Sequence, residues 1–512
     1  MIVDATSAIR GVCGRTTDLY SAAVTDGLQH NGVDDEQAPM PARRHSGSAV
    51  AAAAPAALAW VVAVSLPLVA GAWWPIAASQ GLLDEHATTF ADDWISFAPL
   101  HGSWVLQPWI PALLQRAAWE LGGFVALSVL AALLWVAITI VLMRIGRAAG
   151  AGTTPTMVAT IAMFPLLWPL ILQPQTYAVL IAALLVLALW RGRWWFAPVL
   201  VVFWANVHGS VPAGALLCAA AAAGAATPSI PRSLVRVRTR AVWLVACFAA
   251  MFASPLGVEL IPYVRDIFSV DAIAELTPAW QGRDLFSAGA MWIALLLLLA
   301  IRGLLESTAG QPTTPRALRA ALLVLLALAA LSTQRHSVWF AVVALPLVAL
   351  ELDAFARRSR STTPVRGRRV LRAACAVGLL ALVALSLPGT STQQRLSRFG
   401  LPPRTITTHV SAHDEVYAPI RSADYLHVKT GARVFVDARL ERFDSATLDD
   451  YLALDDGDLG ILEPSDGSGR RLLLIDRADQ ETLDRATRDR PCTRRIAADD
   501  DFALYEVDAP CD

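Results

Sequence analysis

Four carboxylates lie close together early in the chain: Asp84, Glu85, Asp92 and Asp93, with His86 and His101 beside them. A carboxylate in such a group can act as general base toward a sugar hydroxyl or help hold a divalent cation through oxygen. A solvated acidic loop has the same composition. Further along, Asn206, His208 and Gly209 interrupt some thirty apolar residues. Capping of two half-helices accounts for the Asn and the Gly. It does not account for the imidazole, which suits hydrogen-bond donation or proton transfer. Gln175 follows Pro174 at the start of an apolar run, where helix-start chemistry and a ligand role fit equally. Arg265, Arg283 and Arg335, with His336, complete the set. Arg grips phosphate through its planar fork, and the competing reading is pairing with Asp266, Asp284 or Glu275.

These groups must be positioned by apolar elements. The chain has 512 residues, 55% hydrophobic and 17% charged, against about 25% charged in a soluble globular protein. The charges are segregated, so the net charge of −1 says little. The expected organisation is a polytopic α-helical membrane protein with a small C-terminal α/β domain. Residues 1–49 read as a disordered cytoplasmic tail and 50–388 as the transmembrane domain, with outer loops at 75–122 and 257–287. Residues 389–512 read as a soluble extracytoplasmic domain. About eleven spans are expected, at 50–74, 123–143, 155–172, 175–190, 194–206, 209–226, 241–256, 288–304, 317–333, 337–354 and 370–388.

Arginine sets the orientation, because basic loops stay in the cytoplasm. Arg43/Arg44, Arg144/Arg147, Arg191/Arg193, Arg232 to Arg240, Arg302 to Arg319 and Arg357 to Arg369 fall in every second loop. The N-terminus is then cytoplasmic and the C-terminal domain outside. The stretch 194–226 must form a hairpin bent at Asn206–Gly209. Its first arm, 194–205, is about 18 Å long as helix, short of the roughly 30 Å hydrocarbon core. Asn206 and His208 should therefore lie below the outer surface, inside a cavity. The polar punctuation collects on the face opposite the basic loops. Residues 260–276 read as an interfacial helix on the outer leaflet.

Within the C-terminal domain, 433–443, 471–477 and 502–507 read as strands, and Asp437 with Arg439 at a strand end reads as a structural ion pair, with a functional role the competing reading. Cys492 and Cys511 are able to pair if that domain is outside the cell. Cys218, Cys247 and Cys375 read as small core residues. There is no P-loop, G-x-G-x-x-G or G-x-S-x-G, so a nucleotide sugar would have no obvious pocket.

Taken in order, several pieces resemble an uncharacterised bacterial branch of the GT-C superfamily of polytopic membrane glycosyltransferases. They are Asp93-Trp94-Ile95-Ser96-Phe97 with Gly102-Ser103-Trp104, Gln173-Pro174-Gln175, Trp204 through Gly209, Ser254-Pro255-Leu256-Gly257, Glu275 to Trp280, Gln334-Arg335-His336, and Val434 through Arg439. The resemblance covers most of residues 50–450. It implies an inverting transferase in the bacterial cytoplasmic membrane, serving envelope glycan synthesis. Such an enzyme moves a sugar from a polyprenyl phosphate to a glycan or lipid acceptor on the outer face. It also implies an acid in the first outer loop as base, here Asp84 or Asp93, often with Mg or Mn held by residues such as Asp84, Glu85, Asp92 and Asp93. Glu85, His86, Asp92, Gln175, Asn206, His208, Arg265, Arg283, Arg335 and His336 would bind substrate. The group's Asp-x-Asp-x-Trp-Trp-His-like stretch is replaced here by Leu83-Asp84-Glu85-His86, and its usual Arg-Pro-Gln by Gln173-Pro174-Gln175. Membrane lipids are expected partners and nucleic acid is not. A non-catalytic relative that binds lipid-linked glycan or scaffolds envelope enzymes is the alternative, and a transporter the third.

Overall fold

The computed structural model describes residues 49–65, 70–99, 103–167, 172–223, 234–267, 276–307, 313–358, 400–462, 469–488, 490–508 and 510–511. The tail to residue 48, the last expected span at 370–388, Cys375, His101 and Glu275 lie outside them.

Among the described residues, twelve α-helices lie between residues 49 and 358. They are α1 (Ala49–Ser65), α2 (Trp74–Glu85), α3 (Trp109–Ala148), α4 (Thr153–Leu167), α5 (Pro174–Trp190), α6 (Ala197–Ala205), α7 (Val211–Ala222), α8 (Leu234–Ala250), α9 (Leu260–Ile267), α10 (Ala288–Ser307), α11 (Thr313–Ser332) and α12 (Ser337–Arg358). Helix α3, helix α10 and the stretch Gln334–Arg358 are long and apolar enough to cross a membrane, and five shorter helices are apolar. Large apolar side chains stay exposed at helical intervals: Leu121, Val125 and Leu133 on α3, Val242 and Val245 on α8, Leu295 and Leu298 on α10, Leu325 and Leu328 on α11. Stripes of this kind suit a lipid solvent. The opposite faces bury around α12, which packs on α3, α4, α5, α10 and α11. Gly303 of α10 lets the two backbones meet, since a Cβ there would strike the Leu347 carbonyl of α12.

Two expected boundaries move. The apolar run 50–74 is not one uniform span, because residues 70–72 form a 3-10 turn and a separate helix, α2, starts at Trp74 and reaches Glu85. Expected outer loop 75–122 is therefore largely helical at both ends. Polar Gln80, Asp84 and Glu85 mask the helix in the sequence, and Gly81 receives the Trp94 ring. Helix α3 begins at Trp109 and bends at Gly122–Gly123, where Gly123 holds φ 53° and ψ −134°, a region open to glycine alone.

The C-terminal segment carries a mixed sheet flanked by helices. Its strands are β3 (Glu415–Tyr417), β4 (Arg433–Val434), β5 (Arg471–Asp476), β6 (Thr493–Ala498) and β7 (Phe502–Val507), in the order β4-β3-β5-β7-β6. A separate pair, β1 (Thr89–Phe90) and β2 (Trp104–Val105), lies in the first loop. Strands β4 and β5 run parallel to β3, with α14 (Ile420–Thr430) crossing between β3 and β4, as parallel pairing requires. The remaining elements are α13 (Arg404–Thr407), α15 (Ser445–Asp455) and α16 (Glu481–Thr487). The expected strand 433–443 is shorter than its apolar pattern suggests. It stops after Val434, and residues 440–442 form a 3-10 turn.

Alternation along β5 serves two cores. Leu473 and Ile475 pack with α15, and Leu472 and Leu474 pack with α2 and the first loop. The first loop also extends the sheet. Val434 N donates to Ile95 O (2.8 Å) and Phe97 N to Val434 O (2.9 Å), with Ser96 bridged in parallel to Val434. Ser96 Oγ donates to Phe435 O at 2.6 Å. Tyr425 of α14 meets Trp73 edge-on, with ring centroids 5.0 Å apart, which docks the sheet segment on the helices. Cys492 and Cys511 are joined by a disulfide.

Candidate functional site

The hairpin bend supplies the first side chains. Helix α6 stops at Ala205 and α7 starts at Val211, with Pro212 in its first turn. Asn206 caps α6, accepts from Trp109 Nε1 (2.8 Å), and donates to Val202 O (2.8 Å) and Ala253 O (2.6 Å). Its amide is thus committed to holding the bend against α3 and the end of α8. Gly209 serves by size: a Cβ there would fall 2.7 Å from Cε1 of Tyr263 on α9.

His208 projects from the same bend. Its Nδ1 accepts from Ser210 N (3.0 Å) and lies 2.8 Å from Ser210 Oγ, which itself accepts from Trp204 Nε1 (3.1 Å). A neutral imidazole with Nδ1 accepting carries its proton on Nε2. That nitrogen is 3.4 Å from Arg335 Nη2, also a donor. With Nδ1 accepting, two donors stand side by side there, and one acceptor placed between them could serve both.

Arg335 is held in place before any ligand arrives. Its Nε donates to Gln175 Oε1 (3.0 Å), Gln175 Nε2 donates back to Arg335 O (3.0 Å), and the guanidinium lies over the Trp280 ring at 4.8 Å. Nη1 has no hydrogen-bond partner among the described residues. Gln175 stands in the first turn of α5, just after Leu172. Leu172 holds φ 54°, costly for a branched side chain, with its carbonyl pinned by Gln115 Nε2 (2.9 Å).

His208, Tyr263 and Arg335 are half-buried, and Glu441 is exposed on the 440–442 turn. Arg335 interacts electrostatically with Tyr263 and Glu441 but closes an ion pair with neither. Desolvation by the protein around it raises the Glu441 carboxyl above the ordinary Glu range, against the pull of Arg335. Nothing in the sequence singles out Glu441. Its only signal is its place two residues after Arg439, on the turn that leaves β4.

Asp93 belongs to a second, buried cluster. Its Oδ1 accepts from Ile95 N (2.8 Å) and Ser96 N (3.2 Å), and its Oδ2 from Arg439 Nη2 (2.7 Å). Arg439 Nε reaches both oxygens of Asp437, at 3.0 and 3.1 Å, and the guanidinium lies 4.5 Å over Trp104. The expected Asp437–Arg439 pair is present and takes in Asp93 as well. Asp424 lies beside it, and burial followed by the charge of Asp437 pushes its carboxyl well up. Burial pushes neighbouring His427 down. Glu441 interacts electrostatically with Asp437 and Arg439 of this cluster.

The other expected site residues lie apart. Asp84 and Glu85 are exposed on the last turn of α2, His86 is its left-handed cap at φ 53°, and Asp92 is exposed. Arg265 is exposed on α9. Arg283 sits in the loop before α10 with its head against Gly289. His336 adjoins Arg335, half-buried. Gln175, His208 and Arg335 are thus brought together, and Asp84, Glu85, His86 and Asp92 do not join them. Among the described residues no three His, Cys, Asp or Glu side chains gather as a metal site. With Asp93 held by Arg439 and Asp84, Glu85 and Asp92 exposed, the four carboxylates do not fit a bound Mg or Mn.

No family model and no curated protein matches the chain. Among solved structures, a cryo-EM structure of the arabinofuranosyltransferase AftD from mycobacteria is similar to it with TM-score 0.49 and 14% identity, over 90% of this chain and 41% of that one. The chain therefore spans less than half the length of that structure.

Proposed function

We propose that the chain transfers a sugar from a polyprenyl-phosphate donor to a glycan or lipid acceptor at the outer face of the bacterial cytoplasmic membrane. The observation that carries this reading is the pair of donors, Arg335 Nη2 and His208 Nε2, held 3.4 Å apart with no shared acceptor among the described residues. A phosphate oxygen is an acceptor both can share. The guanidinium is oriented by Gln175 and Trp280 before a ligand arrives, which lowers the ordering cost of binding. The apolar stripes of the helices suit the prenyl chain and membrane lipids. The Cys492–Cys511 disulfide supports an extracytoplasmic C-terminal segment, since such bonds persist in oxidising compartments. A cytoplasmic N-terminus and multiple crossings complete this reading.

The test is binding of labelled short-chain polyprenyl-phosphate pentoses and hexoses to the full chain in nanodiscs. Arg335→Gln should weaken binding about 10²-fold, the loss expected when a buried charged partner is removed. Equal affinity in the variant would remove the phosphate assignment. Asp93, already paired with Arg439, favours a second reading, in which the chain binds lipid-linked glycan without turnover. Donor binding with no sugar transfer would select it.

A further inference from the structure

We infer that a cleft on the C-terminal segment, between α13 and the end of α14, binds a phosphate group, independently of the donor reading above. The cleft holds about 480 Å³ and is lined by Arg404, Thr407, Thr408, Val410, Lys429 and Thr430. No carboxylate is among its lining residues. Arg404 and Lys429 are exposed, and neither head has an ion-pair or hydrogen-bond partner among the described residues. A cation in the last turn of a helix suits its dipole, which accounts for Lys429 and leaves Arg404 unexplained. Lys429 is also the one lysine of the chain.

Local packing leaves these polar heads free. Leu401 is buried in the helical core with Tyr425, and Ile406 and Val410 are buried with Leu426 in a core of the sheet. The short helix α13 is therefore anchored on its apolar side, with residues 404, 407 and 408 at the cleft. Thr408 Oγ1 donates to Arg404 O (2.9 Å) and Thr430 Oγ1 to Leu426 O (2.7 Å), so both of those hydroxyl protons are used. Thr407 differs. It is 5% exposed, lines the cleft, and its hydroxyl has no partner among the described residues. A guanidinium, an ammonium and one uncommitted hydroxyl are thus offered together with no acid to compete. Phosphate oxygens accept from all three, and the planar fork of Arg404 suits two oxygens at once. Val428, next to Lys429, packs on the helical core and on the sheet core alike. The cleft therefore lies by the seam between them, where a phospholipid headgroup and a free phosphate are both sources of the group.

The experiment follows acylation of Lys429 by mass spectrometry on the full chain in nanodiscs, with the terminal amine as internal control. One arm titrates inorganic phosphate into phosphatidylcholine discs at constant ionic strength. The other uses discs with about one quarter phosphatidylglycerol and no free phosphate, which present an anionic surface. Lys429 should be acylated several-fold more slowly in at least one arm, with the terminal amine unaffected. Protection in the first arm supports a free phosphate as the source, and protection in the second alone supports the lipid headgroup. Arg404→Gln should raise the half-protecting phosphate concentration about tenfold, the lower end for a charged hydrogen bond, or remove the protection by phosphatidylglycerol. Thr407→Val should weaken protection by less, and thermal unfolding checks that both variants fold. Equal acylation of Lys429 in every condition overturns the inference. So does protection that survives Arg404→Gln unchanged, and so does slowing of the terminal amine in step with Lys429, which charge screening alone would produce.

Discussion

Replacing Arg439 by methionine should loosen the sheet segment from the first loop far more than replacing Asp93 by asparagine. Arg439 is 2% exposed and joins two carboxylates, Asp437 and Asp93, contributed by stretches more than three hundred residues apart. Methionine keeps part of the apolar stem but strands both acids in a buried place. Removing one partner of a buried ion pair costs about 3–5 kcal/mol. Asparagine at 93 still accepts from Ile95 N and Ser96 N, and Arg439 keeps Asp437. The loss is then one charged hydrogen bond, about 1.5–3 kcal/mol. Amide exchange at Val434 and Phe435 reads this directly, because their N–H groups bond Ile95 O and Val416 O. At about 1.4 kcal/mol per factor of ten, Arg439→Met should speed exchange there by about 10² to a few times 10³. Unchanged exchange in Arg439→Met would refute the latch. An Asp93→Asn variant with normal exchange but no transfer would return Asp93 to the chemistry.

Two further outcomes are expected. Asp424 has its folded pKa raised, so the native state holds a proton that the unfolded chain lacks above about pH 4. Stability should fall as pH climbs through that window, by up to about 1.4 kcal/mol per pH unit; Asp424→Asn should flatten the slope in thermal unfolding series, and an unchanged slope would contradict the assignment. Gly209→Ala should press a methyl into Tyr263, at a cost of about 1–3 kcal/mol, and lower donor affinity by moving the ring; unaltered affinity and melting temperature would show that the ring yields freely.

Much of the helical scaffold was legible because apolar runs of helical length leave few alternatives. The bend at 206–210 was legible for a related reason: polar residues inside such a run need partners. Gln175, His208 and Arg335 stood out on that ground and do meet. Asp93 stood out equally and meets Arg439 instead, because its charge type reveals nothing about its partner. Helix α2 was hidden by exposed acids on its last turn, and the first half of α3 by the glycine pair that ends it. The turn at 440–442 was illegible, since it depends on β4 stopping early, and β4 depends on a strand supplied from residues 95–97.

That borrowed strand has a consequence for how the protein is made. The Ser96 hydroxyl and the Phe435 carbonyl it bonds are 339 positions apart. At about 5–20 residues per second of synthesis, the earlier stretch waits on the order of tens of seconds, with its strand edge and the Trp94 and Trp104 rings unshielded. A ribosome stalled or a chain truncated before residue 433 would leave the helices inserted and this edge open to wrong pairing. Chaperones and proteases of the receiving compartment would therefore meet the nascent protein at the 90–106 stretch first.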